Sequence, residues 1–295
     1  MNLIKSAILG LVQGIAEFLP ISSSGHLNIL QALFGMSPDL FVDILLHVGT
    51  LFAVLVVFWR DWIEMLRHPI KNKTLGLLVV ASLPALIAKV ADSKLLSGLF
   101  FGDGANSFQT TNALLGICFL VTGLLLLLTQ WLSRRREQRG IEERGEVGYS
   151  NALAMGCMQV VGMLPGISRS GSTIFGGVAS GLNRESAAKF SFMMSAPAIL
   201  GSLLSGVKTV LETPGAMSNL DIPGLAVGMV VAALSGYLSI RFFLKLIKTV
   251  SLNWFALYVA LVGILVLALQ SLGLMTSQTV VQDVQTVART WLRRA

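Results

Sequence analysis

Of 295 residues, 54% are apolar and only 13% are charged, against about a quarter charged in soluble domains. Uncharged runs recur at 104–133, 147–168, 190–207, 222–240 and 249–282. About 20 such residues cross a bilayer as a helix, which excludes a soluble enzyme. The formal charge of +7 is gathered in short loops between those runs, so it gives no reason to invoke a nucleic-acid partner.

The predicted elements are helical throughout. A helix over 3–18 stops at Pro20, and a short one follows over 24–35. Residues 39–60 span, a basic loop follows, and 74–91 span again with Pro84 as a kink. A loop over 92–110, rich in Gly, Asp and Asn, leads to a span over 111–133. The charged stretch 134–146 then joins this half to a second one of the same plan: 149–164 up to a break, 170–181, 186–208, a loop, 222–247 and 252–271. The expected architecture is one all-α polytopic membrane domain over 1–271, in two halves (1–133 and 147–271) and about ten helical segments, with a C-terminal tail over 272–295.

Charge sets the orientation. Arg60, Arg67, Lys71 and Lys73 share one loop, Arg134, Arg135, Arg136, Arg139 and Arg144 a second, and Arg241, Lys245 and Lys248 mark a third. The loops between them are neutral or acidic, the positive-inside pattern that puts the basic loops in the cytoplasm. Each half then needs an odd number of crossings, so each broken helix pair enters and leaves on one face. The expectation is two inverted-topology repeats whose re-entrant pairs meet near mid-membrane. Arg289, Arg293 and Arg294 would then lie outside, against the charge rule, and the alternative lays 280–294 along a membrane surface. Residues 1–20 resemble a signal peptide, but no small-residue cleavage site follows them, so they read as mature structure. Cys118 and Cys157 lie inside apolar segments and suggest no disulfide framework.

The two breaks share their wording. Gly10, Gln13, Ser24 and Gly25 recur as Gly156, Gln159, Ser170 and Gly171, each 146 residues on. A proline-broken apolar helix frees backbone groups that lipid cannot satisfy, and this is tolerated where the break is buried in protein or faces a polar cavity. Paired breaks in two halves point to a binding site between them. Gln13 and Glu17 are four apart on one helix face, and an intramembrane carboxylate is normally paired or functional. Ser22, Ser23, Ser24, Gly25 and His26 exceed what a helix cap requires. A serine needs an adjacent base to become a nucleophile, and His26 is the nearest candidate. In the second break, Gly166 and Gly171 let backbone N–H groups turn toward a ligand beside Ser168, Ser170 and Thr173. A helix start near Ser170 and the planar fork of Arg169 make this a phosphate or pyrophosphate site. Asp43 and His47 share a face of the third helix and are placed where they could touch the site, though an interhelical hydrogen bond is the favoured reading. Gly10 and Gly14, with the small residues of 195–206, read as close helix packing. No Cys/His cluster, Walker-type loop or dinucleotide fingerprint occurs.

These motifs closely resemble those of the bacterial undecaprenyl-diphosphate phosphatases, the family linked to bacitracin resistance, over roughly residues 3–271. The first signature is carried by Gln13, Glu17, Pro20, Ser22, Ser23, Gly25 and His26. The second is carried by Pro165, Gly166, Ser168, Arg169, Ser170, Gly171 and Thr173. The resemblance implies removal of the terminal phosphate from the C55 isoprenoid diphosphate that carries cell-wall precursors. It also implies a divalent cation (Mg²⁺ or Ca²⁺), a site opening toward the periplasm, and multi-pass location in the bacterial inner membrane. Family members often carry Glu at the position of Gln13, so Glu17 is the stronger of the two metal contacts. Ser23 is expected as the nucleophile with His26 as its base, and His26 itself as the competing nucleophile. Ser22, Gly166, Ser168, Ser170, Gly171 and Thr173 are expected to bind substrate. The type 2 phosphatidate phosphatases also use Ser-Gly-His and Ser-Arg, but with a second histidine after the Ser-Arg. No histidine follows Arg169 here. A transporter or flippase of an isoprenoid phosphate lipid is the alternative function. The oligomeric state stays open between monomer and homodimer.

Overall fold

The computed structural model describes residues 2–36, 40–69, 71–91, 107–212 and 221–272. The tail beyond 272, including residues 280–294, and the stretches 92–106 and 213–220 lie outside the described residues. Eleven helices run through the rest: α1 (Leu3–Phe18), α2 (Ser23–Leu33), α3 (Leu40–Val57), α4 (Trp59–Arg67), α5 (Lys73–Ala91), α6 (Ser107–Gln138), α7 (Tyr149–Val161), α8 (Arg169–Ala179), α9 (Arg184–Glu212), α10 (Ile222–Thr249) and α11 (Asn253–Ser271). No β-strand occurs among the described residues; Arg144 and Leu182 make one isolated bridge.

The expected segments are all present, with one division that sequence reading missed. The span expected over 39–60 ends at Val57, and α4 turns away by 77°. Arg60, Asp61, Glu64 and Arg67 fall within its nine residues, too many charges to continue an apolar span. Four helices among the described residues are long and apolar enough to cross a membrane, or five if α3 and α4 count as one broken span. The chain is a multi-pass membrane protein. Cys118 and Cys157 are free. Helix α5 continues through Pro84.

The two halves of the sequence interleave. Helix α1 packs along α10, α3 on α10 and α9, α5 on α7, and α6 on α11 and α8. Small residues allow the closest of these crossings, as expected of Gly10 and Gly14. A Cβ at Gly10 would lie 2.2 Å from the carbonyl oxygen of Gly228, and one at Gly14 2.6 Å from that of Ala232. Lipid is as apolar as the side chains, so such helices associate through close packing rather than hydrophobic burial. Below the breaks, Phe18 meets Phe192 edge-on with ring centroids 5.3 Å apart, and Phe192 meets Phe243 at 5.9 Å. This aromatic row fixes α1, α9 and α10 beside the residue that precedes Phe18 in the chain, Glu17.

Candidate active site

Both breaks fold the same way. Ser22 caps α2 by accepting from the Gly25 N–H at 3.3 Å, and Ser168 caps α8 by accepting from the Gly171 N–H at 3.1 Å. These are equivalent positions of the repeat. Each serine oxygen satisfies one of the free donors of a helix start. The backbone amides of Ser23 and Ser24, and of Arg169 and Ser170, keep no acceptor among the described residues. Two helix starts with free N–H groups therefore stand next to each other, joined by Gly166 N–H to Ser24 Oγ (3.4 Å) and Ser170 Oγ–H to the Leu19 carbonyl (3.3 Å). Two backbone features make the turns possible. Gly166 has φ +91°, and Ser22, a non-glycine residue, has φ +71°, a strained conformation of the kind that persists where the surroundings enforce it.

Glu17 is where the two halves meet. The first residue of each short helix reaches its carboxylate: Ser23 Oγ–H donates to Oε2 at 2.5 Å, and Arg169 Nη2 pairs with Oε1. Gln13 Nε2 donates to Oε2 at 3.1 Å from one turn back on α1. His47, from α3, brings Nε2 to 3.4 Å of the same oxygen. Arg169 also donates from Nη1 to the Ser191 carbonyl at 3.3 Å. Gln13, Glu17 and Ser23 are buried, and Arg169 is partly buried.

Other expected site residues are near but committed elsewhere. His26 does not hydrogen-bond Ser23. Its Nδ1 meets the Ser22 carbonyl at 2.8 Å, and its Nε2 meets the Tyr258 hydroxyl at 2.8 Å. Its ring stacks on Tyr258 and lies edge-on to Phe119. The pairing expected from spacing gives way to a bond with the carbonyl one turn back, leaving Glu17 as the hydrogen-bond acceptor of Ser23. Thr173 is fully buried and bonds the Arg169 carbonyl at 2.9 Å and Ser191 Oγ at 2.6 Å. Ser168 Oγ, besides capping, contacts Ser170 Oγ at 3.2 Å. These hydroxyls shape the second turn.

Three contributors were missed or undervalued in the sequence. His47 faces Glu17 in addition to its local bond to the Asp43 carbonyl (2.7 Å), where an interhelical bond was the favoured expectation and contact with the site the second reading. Thr122, buried in α6, accepts from the Ser168 N–H at 3.0 Å while its own proton faces the Cys118 carbonyl at 3.1 Å, pinning the second break to α6. Tyr258 lies 232 residues from His26. None carries a local signal, apart from being polar within an apolar helix.

For a cation, the telling atom is Gln13 Oε1, buried with no hydrogen-bond partner among the described residues. Among the described residues no group of three His, Cys, Asp or Glu side chains is placed to hold a metal. Of the two residues expected to contact a cation, Gln13 keeps its Oε1 open, whereas both Glu17 oxygens face Arg169, Ser23 and Gln13.

Comparison with known proteins decides the family. The family described as "Bacitracin resistance protein BacA" matches residues 6–265. The chain belongs to this family. It is 39% identical to the "Undecaprenyl-diphosphatase" of Carboxydothermus hydrogenoformans over 274 residues, covering 92% of this chain and 99% of that protein. It is 38% identical to the protein of that name from Rhodopirellula baltica and 37% to that from Halothermothrix orenii, covering 91% of this chain and 98% of each relative. The matched span contains Glu17, Ser23 and Arg169, the three side chains that the fold joins.

Proposed function

We propose that this chain is an integral membrane lipid diphosphatase of the bacterial inner membrane. It hydrolyses undecaprenyl diphosphate to undecaprenyl phosphate and inorganic phosphate, recycling the cell-wall lipid carrier and conferring bacitracin resistance. The observation that carries this reading is the convergence of Ser23 and Arg169, each the first residue of a short helix, on the buried Glu17. It gives a hydroxyl with an acceptor for its proton, beside a cation and free N–H donors suited to phosphate.

In this proposal Ser23 Oγ attacks the terminal phosphorus and its proton passes to Glu17 Oε2. The Oγ–P bond forms as the bond from phosphorus to the bridging oxygen breaks, and the lipid leaves as a monophosphate. Phosphoryl transfer needs mainly positioning and charge stabilisation, so a carboxylate suffices as acceptor for a hydroxyl proton lost late in the step. Arg169 has five N–H donors; those not held by Glu17 and Ser191 face the phosphate, with the amides of Arg169 and Ser170. His26 activates the water that cleaves phosphoserine, releasing phosphate and restoring Ser23. A divalent cation held by Glu17 and Gln13 would supply charge neutralisation on the phosphate oxygens. Matching caps at Ser22 and Ser168 support inverted repeats with re-entrant pairs, in one domain over 1–271.

The test is acid quenching during turnover of a long-chain isoprenoid diphosphate. Acid-stable, base-labile phosphate on the protein, absent in Ser23→Ala, is expected. An acid-labile phosphoenzyme would make His26 the nucleophile. Substrate binding without phosphate release would favour the flippase.

A further inference from the structure

We propose that His47 is a positioning residue for this reaction, holding the Glu17 carboxylate in the orientation that accepts the Ser23 proton. The inference rests on the hydrolytic reading above and adds to it a residue that lies outside both signature motifs.

The geometry fixes the ring. Nδ1 of His47 faces the Asp43 carbonyl at 2.7 Å, and a carbonyl only accepts, so Nδ1 carries a proton. The ring is thereby oriented along its own helix with Nε2 aimed at Glu17 Oε2, 3.4 Å away. The backbone of His47 is held in turn by Thr50, whose hydroxyl donates to the His47 carbonyl at 2.8 Å. Buried Thr50 and the close approach of Gly49 to Met229 on α10, where a Cβ would lie 2.3 Å from the carbonyl oxygen, seat this turn of α3 rigidly. With Nδ1–H given to a carbonyl, Nε2 can donate to Oε2 only from the doubly protonated ring, so His47 is a supported imidazolium facing the catalytic carboxylate from a separate helix.

Glu17 needs such a donor. Gln13 approaches from its own helix and Arg169 holds the other oxygen. His47 adds a contact to Oε2 from α3, a helix that supplies none of the other partners of Glu17. A small misplacement of a reacting group costs far more in rate than in binding, about 10²-fold for 1 Å, and supporting hydrogen bonds are what prevent it. The substrate need not touch His47 for this to hold.

The experiment compares His47→Leu and His47→Gln in the detergent-purified full chain, reading initial phosphate release from a long-chain isoprenoid diphosphate at saturating Mg²⁺. The two replacements fill similar space, but only Gln carries an N–H that can reach Oε2. His47→Leu should lower kcat about 30- to 100-fold with KM within twofold, while His47→Gln should recover most of that loss. If His47→Leu does not fold, His47→Ala with added imidazole replaces it, and restored phosphate release is the expected result. Equal losses in folded Leu and Gln variants, an unchanged kcat in the Leu variant, a purely KM effect, or no response to imidazole would each overturn the assignment. Wild-type protein measured alongside keeps the two readings apart: no release from wild type would sink the hydrolase reading itself, before His47 is judged.

Discussion

Replacing Arg169 with leucine should destabilise the protein severely, and replacing Glu17 as well should restore part of the loss. The side chains of Arg169 and Glu17 are only 16% and 5% exposed. Removing one partner of a buried ion pair leaves an uncompensated charge, at a cost of about 3–5 kcal/mol. Arg169→Leu also gives up the Nη1 bond to the Ser191 carbonyl, worth about 1 kcal/mol. Gln13 and Ser23 still donate to Glu17 in that variant and His47 still faces it, which argues for the lower part of the range. Glu17→Gln removes the stranded charge and leaves an amide oxygen that Ser23 can still reach. The double variant should therefore be more stable than Arg169→Leu alone, with a coupling energy of about 2–3 kcal/mol. Reversible unfolding in mixed detergent micelles, followed by tryptophan fluorescence, measures all four corners of the cycle. Additive losses, or an Arg169→Leu variant as stable as wild type, would refute the pairing as a structural link between the halves.

Glu17→Gln should cut phosphate release about 10²–10⁴-fold, the range for losing a positioned proton acceptor, with the protein still folded; a loss below tenfold would remove Glu17 from that role. Gln13→Leu deletes the unpartnered buried oxygen, so the Mg²⁺ concentration giving half-maximal activity should rise, and an unchanged titration would count against Gln13 as a cation contact. Tyr258→Phe removes one neutral hydrogen bond to His26, and kcat should fall about fivefold, the rate equivalent of about 1 kcal/mol. Gly10→Ala forces a methyl against the Gly228 carbonyl, costing about 1–3 kcal/mol or more, so folded yield in detergent should drop, whereas Gly201→Ala, facing open space, should behave as wild type.

Much of the fold was legible because lipid leaves few options. Pro20 and Pro165 interrupt uncharged runs, and helix boundaries follow from them: 3–18 is α1, and 149–164 is α7 plus the turn to Pro165. Glu17 and Arg169 stood out as charges inside apolar segments, and their pairing needs no further information than scarcity. What failed was the choice of partner within hydrogen-bond reach. Spacing placed His26 three residues after Ser23, on neighbouring positions of one helix. Spacing does not register that the Ser22 carbonyl takes the His26 ring while Ser23 turns back to α1. His47 and Thr122 reach the site only because α3 crosses α10 beside α1 and α6 packs on α8. Such crossings are set by glycine pairs and side-chain volumes in distant helices, which a local pattern does not encode. The bend at Phe58 was hidden for the opposite reason: Trp59 and Trp62 continue the apolar character of the span, and only the charges among them mark its end.

The most direct measurement is phosphate release from a long-chain isoprenoid diphosphate by the purified protein, with and without Mg²⁺ or Ca²⁺, beside Arg169→Ala. Cation-dependent release in wild type that is lost in folded Arg169→Ala is the expected result. Wild-type protein that binds the lipid diphosphate yet releases no phosphate under any cation would contradict hydrolysis at this site.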